Sequence, residues 1–394
     1  MFSDIRNKAK DTFSKIGYPS TKKEMWRYTN IKNFDNYTSG DTKKIDYKSG
    51  SITLPEKLFN IIIYNGHLIK SNPDLKGVTI QNYDDLMDTS SFSAENFLQV
   101  SNFIDNGVVA HNTSEFTDAL HLIIGQDYKL ETPINIISIT NKLESNKIIF
   151  PRIYVHAEEN SCSKIYIQHM NCGSECAINS VIEFFCEDSS KIEIIELSDL
   201  KDQEVINSIF FHQKDNSQIN FFSTALGGKL YRSNINVEIN GENCNNNFGV
   251  LILGSNKDHI DYHTNINHLL GRSKNHFSCK SLLKDDSKGI FNGRILVSKG
   301  ASGSKSKLNN NNILLSERSQ MQSNPQLEIN CEDVKCSHGS TTGNLSKDEL
   351  FYLRSRGINE DHAKKILVQG FIDKLLLPFD LEFLYIKDRI KAWI

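Results

Sequence analysis

A short strand-like run recurs every 27 residues through the middle of the chain, and few folds accommodate such a repeat. Ser163-Lys164-Ile165-Tyr166-Ile167 resembles Ser190-Lys191-Ile192-Glu193-Ile194, which resembles Ser217-Gln218-Ile219-Asn220-Phe221. Cys244-Asn245-Asn246-Asn247-Phe248 is a degenerate fourth copy. Asp188-Ser189, Asp215-Asn216 and Glu242-Asn243 precede the later copies and read as turns feeding strands. A second strand is expected between copies, at Ile178-Asn179-Ser180, Ile206-Asn207-Ser208 and Ile235-Asn236-Val237. A fixed period with two or more short strands per repeat is the signature of a β-solenoid. The spacing predicts one inward column of Ile165, Ile192 and Ile219. It predicts a second of Ile167, Ile194, Phe221 and Phe248, because residues two apart on a strand share a face. Each coil buries its apolar face only against its neighbours, so several copies are needed. The alternation extends from Ile134-Asn135-Ile136-Ile137 to Phe291–Val297, so residues 126–345 are expected to form a parallel β-helix core. That length corresponds to about eight coils. The run Asn309 to Asn312 is expected at a turn, since asparagine tolerates left-handed backbone, although asparagines can also ladder between stacked strands.

The ends read as helical. Residues 346–394 form the expected C-terminal helical domain. Ser346-Lys347-Asp348-Glu349 has capping-box spacing, and Gly357 stops the helix that follows. Asn359 caps a second helix with an apolar stripe of Ala363, Ile366, Leu367, Gly370, Phe371 and Leu375. Pro378 ends it, and Leu381 to Ile394 is amphipathic again. Part of this apolar surface is expected to cover the open solenoid end, and any further apolar face would mark a partner site. Residues 1–125 are read as a mainly helical N-terminal domain with a polar linker near 30–55. Pro19 is expected to end its first helix, and Ser93–Phe103 to form another.

Charge and cysteine usage exclude several functions. The net charge of −3 gives no basic excess to hold a phosphate backbone, so nucleic acid is not an expected partner. No apolar run approaches the roughly 20 residues that span a bilayer, and no signal-like segment opens the chain. The eight cysteines form no Cys-x-x-Cys pair, and they read as thiols in a reducing compartment. His169, Cys172 and Cys176 have ligand-like spacing but no evident fourth ligand. No phosphate-cradling Gly-x-x-x-x-Gly-Lys-Ser/Thr loop occurs, so ATP hydrolysis would belong to a partner.

Pro325-Gln326-Leu327-Glu328-Ile329, Asp333-Val334-Lys335-Cys336-Ser337-His338-Gly339 and Leu350-Phe351-Tyr352-Leu353-Arg354-Ser355-Arg356-Gly357 follow one another in this order. With Phe291-Asn292-Gly293-Arg294-Ile295 upstream and Glu24-Met25-Trp26-Arg27-Tyr28-Thr29 near the start, they resemble the signature of the SufB/SufD family of iron–sulfur cluster assembly proteins. The likeness covers most of the chain and is strongest over residues 285–380. It implies a mostly β fold, a right-handed parallel β-helix flanked by N- and C-terminal α-helical domains. In the family a SufB and a SufD subunit pair, and each carries a SufC ATPase on its C-terminal helices. The SufB type has His-Glu-Ala where this chain has His338-Gly339-Ser340, and a working cysteine where Met321-Gln322-Ser323 offers none. The chain is therefore similar to the SufD type.

The resemblance implies a non-catalytic scaffold subunit of the cytoplasm or an organelle stroma, which could also pair with itself when isolated. His338, with Cys336 beside it, would face SufB, and His338 would be an iron ligand of a nascent cluster. That cluster would be transient cargo of the interface, with no cofactor held tightly by this subunit alone; a flavin is left unassigned by the residues. Phe351, Tyr352, Arg354 and Arg356 would meet the ATPase. The bottom-up chemistry is compatible. Cys336 and His338 are two apart and share a strand face, and thiolate and neutral imidazole both ligate cluster iron. A Cys-x-His pair alone is weak evidence and acquires weight only from the resemblance. A second reading is a purely structural partner of SufB. A third is a solenoid protein acting on polysaccharide, but outward positions such as Tyr166, Glu193 and Asn220 form no catalytic set.

Overall fold

The computed structural model describes residues 2–39, 54–69, 75–87, 97–98, 100–141, 143, 146–200, 202–381 and 386–394. Helix α1 (Phe2–Ile16) stops at Gly17, whose φ of 58° is left-handed, two residues before Pro19. Strands β1 (Thr38–Ser39), β2 (Phe59–Tyr64), β3 (His67–Ile69) and β4 (Val78–Gln81) follow, with helices α2 (Tyr83–Met87) and α3 (Gly107–Glu115). Of the expected Ser93–Phe103 helix, residues 93–96 and 99 lie outside the described residues; Phe97, Leu98 and residues 100–103 form a turn and bends rather than a helix, and Leu98 has a left-handed φ of 71°. Next come β5 (Leu120–Ile124), β6 (Ile134–Thr140), β7 (Lys147–Ile149), β8 (Arg152–Ala157), β9 (Cys162–Asn171), β10 (Ala177–Cys186) and β11 (Lys191–Asp199). The series continues with β12 (Glu204–Gln213), β13 (Gln218–Leu226), β14 (Leu230–Ile239), β15 (Asn245–Gly254) and β16 (His259–His268). It ends with β17 (Lys274–Leu283), β18 (Lys288–Val297), β19 (Lys305–Leu314), β20 (Gln320–Ile329) and β21 (Lys335–Gly343). Helices α4 (Lys347–Ser355), α5 (Glu360–Leu376) and α6 (Ile386–Trp393) close the chain.

From β8 onward the strands alternate between two parallel sheets. Sheet A runs β20-β18-β16-β14-β12-β10-β8-β5, and sheet B runs β21-β19-β17-β15-β13-β11-β9-β6-β2. The result is a parallel β-solenoid of about eight turns. The 27-residue step holds where Lys191 pairs with Gln218 and Gln218 with Asn245. Cys162 pairs with Lys191, a step of 29, so Ile165 stacks on Ile194, and Ile192 on Ser163. The predicted Ile165–Ile192 pairing is thus two residues out. A slip of two keeps every side chain on its face. All the predicted inward residues are accordingly buried.

The observed column is Ile165, Ile194, Phe221, Phe248, Phe277 and Leu308. On sheet A, Ile178 stacks on Val205 rather than Ile206. Ile206 points outward, among residues of the N-terminal region. Asn309 to Asn312 lie within β19, not at a turn. Asn310 and Asn312 are buried and bond each other, while Asn311 donates to Thr341 Oγ1 at 2.8 Å. Four identical residues conceal a period of two, which is why the run reads as a loop. One buried column also carries charge chemistry. Glu196 stacks between Ile167 and Ser223 and accepts from Ser198 Oγ and Asn207 Nδ2, both at 3.0 Å.

Both outer faces of the solenoid are covered. Phe2, Trp26, Ile31 and Phe34 pack with Tyr154, Phe185 and Ile206 on sheet A. Trp26 of the Glu24–Thr29 motif lies 3.6 Å above the Arg232 guanidinium, which pairs with Asp261 at 2.9 Å. Thr29 donates to the same carboxylate. Val368, Ile372, Leu376 and Phe379 pack with Ile195, Leu197, Phe222, Leu251 and Leu253 on sheet B. The C-terminal helices therefore cover a side of the solenoid and not its end, contrary to the expectation. The reason is in the strands: both faces of sheet B are apolar there, as Phe248 to Leu253 shows, and both need burial. The stripe on α5 also shifts. Val368 and Ile372 are buried while Ile366 is exposed, because apolar residues surround this helix and periodicity could not select a face. No described helix is long and apolar enough to cross a membrane.

Ile219→Asp places an unpaired charge in a column residue that is 2% exposed. We expect a loss of about 3–5 kcal/mol in urea unfolding. Acid should also destabilise the fold. Burial holds His169 and His268 at about 4, below their usual 6.5. Between those values the unfolded chain binds protons that the folded chain refuses. Their contribution is complete above pH 6.5 and is lost as pH falls toward 4, so the melting temperature should drop from pH 7 to pH 5.

Candidate functional site

The two ends of the solenoid differ. At the start, β3 pairs antiparallel with β2 and β4 antiparallel with β5, and these reversed strands close the stack. At the other end, among the described residues, β20 pairs only with β18, and β21 only with β19. Their outer edges carry unmatched backbone donors and acceptors, a template for another strand. Pro325 sits in β20, a position compatible with an edge strand.

The register places the predicted residues at this mouth. His338 pairs with Leu308 and so extends the column of Phe221, Phe248 and Phe277 by one exposed step. Cys336 pairs with Ser306, which is buried, and its half-buried side chain packs against the core. Both therefore lie on the inward face of the last strand. Burial pushes the Cys336 thiol up, so this sulfur favours the protonated form. The two residues do not make a complete ligand set. Among the described residues no three His, Cys, Asp or Glu side chains gather in a way that could hold a metal ion. His169 lies 3.6 Å from Glu196 inside the solenoid, away from this mouth, and Cys176 accepts from Gln203.

Sequence reasoning missed the polar bracing of the mouth. Ser323 of β20 meets Ser340 of β21 at 2.7 Å across the lumen and donates to Asn310 at 2.6 Å. Arg294 holds Glu328 through two bonds of 3.0 and 2.6 Å, tying β18 to β20. A Cβ on Gly293 would stand 2.6 Å from Leu308, so this position admits only glycine without movement. The signal was present as alternation: Met321, Ser323, Pro325 and Leu327 are half-buried at every second position of β20, with Gln326 the one half-buried residue on the other face.

Beyond the mouth, Ser346 and Asn359 cap α4 and α5 as their spacing predicts, accepting from the amides of Glu349 and His362. Helix α4 buries none of its residues. Phe351 is 74% and Tyr352 58% exposed. Arg354 pairs with Glu360 at 3.3 Å, and Arg356 lies over the Tyr352 ring. The structure thus separates the predicted residues into two sets, one at the strand edges and one on an uncovered helix.

Comparison with known proteins shows the family of the chain. Residues 138–371 match the model described as the SUF system FeS cluster assembly, SufBD core domain, and residues 1–136 match the SufBD protein N-terminal region. The chain belongs to the SufBD family. An iron–sulfur cluster assembly SufBD family protein of Synechocystis is 25% identical over 94% of this chain and 86% of its own length. The iron–sulfur cluster assembly protein SufD of Escherichia coli is 35% identical over 153 residues, which is 39% of this chain and 36% of that protein. A chloroplastic protein of Arabidopsis thaliana is 25% identical over 95% of this chain and 82% of its own. The motifs of this SufBD chain now have physical roles. Phe291–Ile295 and Pro325–Ile329 are the neighbouring strands joined by Arg294 and Glu328, and Glu24–Thr29 anchors the N-terminal region over Arg232.

Proposed function

We propose that this SufBD protein is the SufD-type scaffold subunit, pairing through the open mouth of its solenoid with a SufB-type subunit. The observation that carries the reading is His338 at the exposed end of an otherwise buried column, between two unpaired strand edges. A partner with similar edges would continue both sheets and bury the half-buried Met321, Leu327 and Cys336. His338 would then supply one ligand to a nascent iron–sulfur cluster, and the partner the rest, since this mouth lacks a full set. The cluster is cargo that leaves after assembly. The subunit would work in the cytoplasm or an organelle stroma. Helix α4 with Phe351, Tyr352, Arg354 and Arg356 would carry the SufC-type ATPase, supported by a helix that has no core of its own.

His338→Ala should leave the melting temperature within about 2 °C, because an exposed imidazole contributes little. Pairing with the SufB-type subunit should persist, and cluster formation in cells should fall sharply. Wild-type cluster yield would remove the ligand role and leave a structural partner. For the ATPase, Phe351→Ser with Tyr352→Ser should abolish co-purification of the ATPase while stability changes by less than about 0.5 kcal/mol each. These point variants are preferable to removing 346–394, which would uncover Phe222 and Leu251 on sheet B. ATPase retained by the double variant would place its docking surface elsewhere.

A further inference from the structure

A cleft of about 480 Å³ opens between the outer face of sheet B and helix α5. Its chemistry is one-sided. His276 of β17 pairs in register with Lys307 of β19, and Lys280 with Asn311 four residues on, so these side chains share the outer face. Lys374 faces them from α5, and among the described residues no Asp or Glu lines the cleft. Several lysines elsewhere have carboxylate partners: Lys164 has Glu193 and Asp380, Lys214 has Glu187, and Lys229 has Glu204. Lys280 has none among the described residues. It is 7% exposed, donates to the backbone oxygen of Phe371 and lies 4.4 Å from the centre of the Phe371 ring. Burial, and then the neighbouring Lys374, hold its ammonium below the usual lysine range, with no carboxylate to offset them. A buried cation facing further cations is costly unless an anion joins it.

We propose that this cleft binds a phosphate-bearing small molecule, its phosphates between Lys280, Lys307 and Lys374 and its ring portion against Phe371. The cleft has the size of a small-molecule site rather than a polymer track. The overall charge of −3 also argues against a nucleic-acid backbone. Gly370 of α5 borders the cleft and leaves it room, since a Cβ there would meet nothing within 4 Å. Such a site lies on the outer face of sheet B, whereas His338 belongs to the inward face of β21, so its occupancy is separable from the mouth.

Calorimetry on the full-length isolated chain tests this with three probes: ADP, inorganic pyrophosphate and a glutamate-rich peptide. ADP should bind saturably with a dissociation constant on the order of 1 mM or tighter, and tighter than pyrophosphate. Lys307→Ala with Lys374→Ala should weaken ADP at least about tenfold. Gly370→Gln fills the cleft without changing its charge and should weaken ADP as well, with an unchanged melting temperature confirming the fold. Absence of saturable ADP binding, binding untouched by both variants, or tighter binding of the peptide would each overturn the proposal.

Discussion

In a parallel solenoid, each coil finds backbone hydrogen-bond partners only in the coil before it and the coil after it. Interior coils are therefore satisfied automatically, and the two terminal coils are not. Here the terminal coils are treated differently. Antiparallel strands β3 and β4 close one end, whereas β20 and β21 have no further strand beside them among the described residues. The outer faces of the coils are covered, with the N-terminal region on sheet A and helices α5 and α6 on sheet B. The open end is thus the place where the fold itself remains incomplete, and it is where His338 and Cys336 stand.

The columns that hold the stack together also aim these side chains. Phe221, Phe248 and Phe277 are successive rings in contact, the first two tilted and the last two stacked, and they fix the path of the column up to Leu308. His338 is the next step, so its direction is inherited from a rigid core rather than from a loop. The bracing by Asn310, Ser323 and Ser340 keeps the last strands of the two sheets together at the mouth. The uncovered helix α4 is a separate feature, joined to the rest through α5.

Much of this was legible in the chain. Alternation identified the inward faces, because burial on one side of a strand imposes a period of two regardless of coil length. Register was less legible. Ser163–Ile167 looks like Ser190–Ile194 at a step of 27, yet an extra pair of residues makes the true step 29. Similar short strands leave such a shift invisible, since it exchanges one isoleucine for another. The Asn309–Asn312 strand was hidden by its own uniformity, and Glu196 by its place in a column that is otherwise apolar on one side and serine on the other.

By itself, the sequence determined the solenoid, its inward faces, the caps of α4 and α5, and the pairing of Cys336 with His338 on one face. These follow from local periods and local hydrogen bonds, which need no knowledge of distant partners. Only the tertiary structure decided which solenoid surface the helices cover, which end stays open, and that His276, Lys280, Lys307 and Lys374 converge on one cleft. Those outcomes depend on segments roughly a hundred residues apart meeting in space. Apolar stretches such as those of α5 and Phe248–Leu253 state that they require burial, but not against what.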